Sequence, residues 1–197
     1  MSDINTKLLT PLKAVVGMYL SSARYWVLDC DLSDFAINEP NSSGGCQAVD
    51  IWFDQGMVEI DWGSDKDLVA EHLGYAYHVV ASSTSNFDNR PDLQNLGSAS
   101  WHKIPAEGAI LWQSVIGKPL EKIRVLGISH SPQAIEFSFP SSKIVISIGS
   151  TSGGITLSDG DELLIFSELE WQKAIAAQPF FLETLQTLWQ ISSSDVS

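Results

Sequence analysis

Residues 48–63 read Ala48-Val49-Asp50-Ile51-Trp52-Phe53-Asp54-Gln55-Gly56-Met57-Val58-Glu59-Ile60-Asp61-Trp62-Gly63. Val49, Ile51 and Phe53 alternate with Asp50 and Trp52, the period of a strand with one buried face. Asp54-Gln55-Gly56 supplies turn chemistry, after which Val58, Ile60 and Trp62 alternate with Glu59 and Asp61. Two alternating runs around a short Gly-containing turn predict a β-hairpin with one apolar face.

The same pattern returns 86 residues later. Ala134-Ile135-Glu136-Phe137-Ser138-Phe139 lies over residues 48–53, and Ile144, Ile146 and Gly149 lie over Val58, Ile60 and Gly63. Upstream the offset becomes 100, where Val15-Val16-Gly17-Met18-Tyr19-Leu20 matches Val115-Ile116-Gly117-Lys118-Pro119-Leu120 and Arg24 matches Arg124. The first copy therefore holds 14 more residues, between Leu28 and Ala48. Self-similarity on this scale is the sequence signature of a repeated supersecondary unit. Each copy predicts a short apolar turn or helix closed by glycine (Gly17, Gly117), where a left-handed C-cap suits that residue. A strand follows (19–28, 120–128), then the hairpin, then one more strand (75–81, 163–166).

Working outward, residues 82–97 are rich in Ser, Asn, Asp and Pro and read as a linker. Ser167-Glu168-Leu169-Glu170 has the form of a capping box, predicting a helix to about 177. Pro179 suits the first turn of a second helix, with Phe181, Leu185, Leu188 and Trp189 on one face as a lid over the sheet core. The expected fold is α+β and mainly antiparallel β, in a single domain. Pseudo-repeats at 10–81 and 109–167 share a core, joined by a linker at 82–108 and followed by C-terminal helices at 168–191. Whether they form one sheet or two is open from sequence.

The 197 residues carry 24 acidic against 11 basic groups, a net charge of −13, yet only 18% are charged and 10% aromatic. That composition is a folded chain rather than an acidic tail. It argues against non-specific nucleic-acid binding, which needs cations to displace phosphate counterions, and against docking on anionic membranes. The start of the chain has no convincing secretory pattern and no apolar run reaches the ~20 residues of a membrane span, so a cytoplasmic location is expected. Cys30 and Cys46 read as free thiols, with a single disulfide as the alternative.

Catalytic chemistry is not legible. His72, His78, His102 and His130 show no ligand spacing for zinc. Residues 149–154 (Gly-Ser-Thr-Ser-Gly-Gly) lack the Lys-Ser/Thr pair of a phosphate loop and the frame of a nucleophile elbow. Ser158-Asp159-Gly160-Asp161-Glu162 lacks calcium-loop spacing. No cofactor or metal is expected.

Charge placement is more informative. Residues 29–71 hold eleven carboxylates against Lys66 alone. On the hairpin face opposite the apolar one, Asp50 and Trp52 stand across from Glu59 and Asp61, whereas the second hairpin there shows Glu136, Ser138, Lys143, Val145 and Ser147, nearly neutral. An aromatic flanked by carboxylates suits a basic protein partner, the ring giving contact area and the charges steering approach. Asp50, Trp52, Glu59 and Asp61 are thus the candidate partner-binding residues. Two other readings stay open: a ligand-binding or enzymatic cleft between the copies, drawing on the linker and His102, and a structural domain with no discrete site.

The arrangement of apolar turn, Ile/Val-Gly, strand and a hairpin of the type Ile-Trp-Phe-Asp-Gln-Gly-Met-Val-Glu-Ile resembles small uncharacterised bacterial β-rich domains, some of the immunity-protein type found beside polymorphic toxins. The resemblance covers most of residues 10–166 as a pattern. It implies a cytoplasmic, non-catalytic protein that blocks a toxin by acidic complementarity, and it carries over no fixed site residue.

Overall fold

A computed structural model describes residues 2–28, 45–63, 76–82, 101–106, 108–151, 154–157 and 162–195. The first hairpin forms as its alternation dictates: β3 (Ala48–Phe53) pairs antiparallel with β4 (Gly56–Gly63), with Asp50 opposite Glu59 and Trp52 opposite Met57. On either side lie β1 (Leu20–Leu28) and β5 (Ala76–Ser82). A further strand, β6 (Trp101–Pro105), pairs with β1 and completes a five-stranded sheet in the order β5-β4-β3-β1-β6.

The second sheet is built around β8 (Ser131–Phe139) and β9 (Ser142–Ser150), flanked by β7 (Lys122–Ile128) and β11 (Glu162–Ser167). Its order is β12-β7-β8-β9-β11-β2, where β12 is Gln186–Ser192 and β2 is Gly45–Cys46; β10 (Thr156–Leu157) pairs with β9 off that path. Both sheets thus contain a four-strand meander in the same order, and every ladder is antiparallel. The architecture is α+β, mostly antiparallel, in two sheets rather than one.

The halves meet at the residues singled out by the 100-residue offset. Gly17 N–H donates to the Leu120 carbonyl at 2.8 Å, and Gly117 N–H to the Leu20 carbonyl at 2.7 Å. Leu20 N–H donates to Lys118 at 3.0 Å and Leu120 N–H to Met18 at 2.9 Å, around an isolated antiparallel bridge between Tyr19 and Pro119. Gly17 and Gly117 have φ of +90° and +78°, the left-handed conformation that closes the turns after α1 (Ser2–Val15) and α2 (Ile110–Gln113) and leads the chain toward β1 and β7.

One contiguous apolar core takes the inner faces of both sheets, from Tyr25, Val49, Ile51 and Ile60 to Ile135, Phe137, Ile146 and Ile165, together with Leu12 of α1 and Trp112 of α2. A smaller cluster lies on the opposite face of the second sheet. There Trp171 and Ile175 of α3 (Glu168–Ala176) and Phe181 of α4 (Pro179–Thr184) cover Leu126, Ala134, Val145, Leu164 and Phe166. The capping box forms: Ser167 Oγ accepts the Glu170 N–H at 3.3 Å and donates to its carboxylate at 3.2 Å.

Two boundaries differ from the sequence expectation. The second C-terminal helix stops at Thr184, and residues 186–191, expected as helix, lie in β12 along the edge of β7. Phe181 and Leu185 keep the predicted lid contact, while Trp189 packs against the main core. An unpaired sheet edge offers a row of backbone donors and acceptors, and Thr187, Trp189 and Ile191 are strong strand formers, so sheet completion outweighs the helical period. The expected linker 82–108 likewise contains β6, which completes the matching edge of β1. Cys46 is a free, buried thiol on β2; Cys30 lies outside the described residues, as do most of the first-copy insertion, His72, and the acidic run at 158–161.

Candidate functional site

Four candidate residues were read from the first hairpin, and the structure separates them. Asp50 and Glu59 are buried (0% and 1% exposed), while Trp52 and Asp61 are half-buried. The exposed acidic face expected around Asp50 and Glu59 is therefore not what this surface presents. The reason lies on the neighbouring strand. Arg24 of β1 stands opposite Asp50 of β3, and its Nε and Nη2 both donate to Asp50 Oδ2, at 3.1 and 2.7 Å. The same oxygen accepts the Trp26 indole N–H at 2.8 Å.

The Arg24 guanidinium also lies 4.8 Å from the Trp26 ring centroid and 4.7 Å from that of Trp52, and Lys103 Nζ sits 5.1 Å from Trp26. The result is a ladder of alternating rings and cations, Trp52–Arg24–Trp26–Lys103, above one carboxylate. Stacking on ring faces and hydrogen bonding to a carboxylate in its own plane are compatible for a planar guanidinium.

The second sheet holds the counterpart pair. Arg124 is opposite Glu136, but here the fork is two-pronged: Nε to Oε1 at 2.9 Å and Nη2 to Oε2 at 2.5 Å, with Ser138 Oγ also donating to Oε1 at 3.1 Å. Burial pushes the Glu136 carboxyl up, but hydrogen bonding to Arg124 and the charges of Arg124 and Lys143 outweigh it and hold it below the usual range. Glutamate, one methylene longer, reaches its arginine with both oxygens. Asp50 offers one, and its Oδ1 is buried with no hydrogen-bond partner among the described residues.

Sequence reasoning missed Arg24, Trp26 and Lys103. The signal was present, because the offset of 100 aligns Arg24 with Arg124 and the offset of 86 aligns Asp50 with Glu136, a cation and an anion repeated together. Adding β1 and β7 also changes the electrostatic comparison. Across the outward positions of three strands, the first sheet carries Arg24 against Asp50, Glu59 and Asp61. The second carries Lys122, Arg124 and Lys143 against Glu136. Over the same face Lys143 is paired with Glu168 of α3 at 2.6 Å, which offsets one of those cations.

The first sheet's outer face is closed at Trp26, Ala48, Met57 and Glu59, all buried. It opens at one corner, where Ser21, Ser22, Ala23, Arg24, Trp52 and Pro105 line a cleft of about 300 Å³. Ser21 Oγ donates to the Trp52 carbonyl at 3.0 Å. Tyr19, 52% exposed, adjoins this corner; its N–H donates to Asp54 Oδ1 at 3.1 Å, and Asp54 N–H returns to the Tyr19 carbonyl at 2.9 Å. Trp52, Tyr19 and Asp54 thus stand together at the hairpin end of the sheet.

Among the described residues little suits bond-making chemistry. Burial raises the Tyr25 hydroxyl and the Cys46 thiol far above their ordinary ranges, so neither is a ready nucleophile. His102 is half-buried on β6 and His130 is exposed at the β7–β8 turn. Among the described residues no three His, Cys, Asp or Glu side chains are placed to hold a metal ion, and no helix is long and apolar enough to cross a membrane. The junction that a cleft between the halves would need is filled by Leu20, Leu120, Val115, Trp112 and Tyr25. Compared with family models, curated proteins and solved structures, the chain matches none.

Proposed function

We propose that this chain is a small acidic protein that binds a basic protein partner, acting in the cytoplasm as an inhibitor or immunity protein. The observation that carries the reading is the open corner of the first sheet. A half-buried tryptophan borders a cleft beside an exposed tyrosine and aspartate, on a face with three carboxylates to two cations, Arg24 and Lys103. Tryptophan and tyrosine anchors dominate the energetics of protein interfaces, and the net charge of −13 raises the encounter rate with a cationic partner.

Asp50 and Glu59 act indirectly in this reading. They are too buried to touch a partner; Asp50 fixes Arg24, which in turn stacks on Trp52 and sets its pose. Contact falls to Trp52, Tyr19 and Asp54, while Asp61, opposite Ala48 farther along the hairpin, contributes charge at a distance. Charge reversal at Asp50 or Glu59 would damage the fold, so the test avoids them.

The partner is captured from the native cell at low ionic strength, identified by mass, and titrated calorimetrically against folded variants. Trp52→Ala is expected to weaken binding at least tenfold, about 1.4 kcal/mol, and the pair Asp54→Lys with Asp61→Lys to steepen the loss at low salt. Affinity within twofold of wild type for both variants refutes the reading.

A further inference from the structure

We infer that the cleft beside Trp52 receives a lysine side chain of the partner; this rests on the partner-binding reading above and specifies its chemistry. The argument comes from the other half of the molecule. Ser22 pairs with Trp52 on the first sheet, and Lys122 pairs with Ser138 at the matching register of the second. Where the second sheet carries a half-buried lysine beside an arginine–carboxylate pair, the first carries a serine and an open cleft beside the equivalent pair. At this pair the first sheet has a ring, Trp52, in the place of Ser138, and a serine, Ser22, in the place of the cation Lys122.

The chain itself therefore shows that a lysine at this position coexists with the neighbouring guanidinium. Arg24 is no obstacle, because Asp50 neutralises it through two hydrogen bonds. The cleft's walls suit a lysine stem: Trp52 and Pro105 are flat and apolar, and four methylenes pack along such surfaces while the ammonium stays polar. The charge balance leaves room for a cation, since the described residues of this face hold Asp50, Glu59 and Asp61 against Arg24 and Lys103. Ser21 and Ser22 at the cleft lining supply hydroxyl groups that can accept from the ammonium.

Two experiments test the inference. First, Nα-acetyl-lysine methylamide is titrated at millimolar concentration into the ¹⁵N-labelled protein and the Trp52 indole resonance, assigned through Trp52→Phe, is followed. A saturable shift is expected, at least tenfold weaker for the uncharged norleucine analogue. Equal effects of the two, or tighter binding of the arginine analogue, overturn it.

Second, Ser22→Lys places the chain's own lysine in the cleft as Lys122 is placed in the other sheet. It is expected to fold, to unfold at a midpoint no lower than that of Ser22→Ala, and to weaken the lysine probe at least tenfold. An unfolded Ser22→Lys protein, or one that binds the probe like wild type, overturns the assignment. Partner binding lost in Trp52→Ala but intact in Ser22→Lys refutes the lysine in the cleft and leaves the docking surface standing; binding intact in both refutes the surface itself.

Discussion

Replacing Arg24 by methionine isolates the role of the stacked ion pair. The thioether keeps an apolar stem between Trp26 and Trp52 but removes the two hydrogen bonds at 3.1 and 2.7 Å and the charge. Asp50 is fully buried, and Glu59 stands directly across from it on β4. Among the described residues, the carboxylate left behind keeps the Trp26 indole alone as a charge-stabilising donor. Breaking a buried pair by removing one partner costs about 3–5 kcal/mol. The Arg24 side chain retains 18% exposure, so some water already solvates it and the lower end, about 3 kcal/mol, applies. Two lost cation–π contacts add about 0.5–1 kcal/mol each, for a total near 4 kcal/mol.

Adding Asp50→Asn to Arg24→Met removes the orphaned charge while its carbonyl still accepts from Trp26. The double variant is expected to recover about half of the loss, because removing both partners avoids the uncompensated buried charge. Arg124→Met serves as the internal comparison. That pair is more open, with side-chain exposures of 31% and 4%, and Glu136 keeps the Ser138 hydroxyl, so about 1.5–2 kcal/mol is expected, the lower end for hydrogen bonds to charged groups. Urea unfolding followed by far-ultraviolet circular dichroism reads all three, with a 4 kcal/mol loss lowering the midpoint by roughly 1–2 M at ordinary denaturant slopes. The reasoning fails if Arg24→Met falls within about 1 kcal/mol of wild type, if the double variant is no more stable than the single, or if the two arginines cost the same.

The β7–β8 turn places two non-glycine residues at positive φ, Ser129 at 49° and His130 at 74°, where a two-residue hairpin favours Asn-Gly. Ser129→Asn with His130→Gly should therefore raise stability by about 1 kcal/mol, read as a melting shift of roughly 2–4 °C; a lower melting temperature contradicts the strain. Gly17→Ala and Gly117→Ala should each cost about 1 kcal/mol. A Cβ at either site meets nothing within 4 Å, so the penalty is conformational and a D-alanine introduced by chemical synthesis should remove it. Glu136 has a depressed folded-state pKa, so its contribution is present above the unfolded carboxyl range of about 4.3 and is lost as pH falls through the lower folded value. Glu136→Gln should flatten the acid side of the stability profile in that window, and an unchanged acid limb would count against the Arg124 bond as its cause.

The parts of this fold visible in the sequence are those set by neighbours a few residues apart. The two hairpins, the glycine caps and the Ser167 capping box all follow from local alternation or spacing. What escaped depends on pairing between distant segments. Residues 186–192 are written ambiguously between helical and strand periods, and only the open edge of β7 decides for the strand. Residues 101–105 were hidden behind a polar run for the same reason. The burial of Asp50 was not visible from β3 and β4 alone, because the residue that neutralises it comes from β1, 26 residues earlier. Trp52 was found as an aromatic among acids; its partner Arg24 required reading two offsets at once.

The four hydrogen bonds around Tyr19 and Pro119 have a consequence for dissection of the chain. Each half offers the other the same glycine N–H and leucine carbonyl, in reciprocal positions. Such a contact is self-complementary in the sense of a two-fold interface, in which residue i meets j and j meets i. A fragment bearing only Gly117 to Leu120 and the sheet that follows can satisfy those groups against another copy of itself, with Gly117 donating to the second chain's Leu120. Separated halves would then associate as like with like, and mixing them would become a competition between two homodimers and the native pairing.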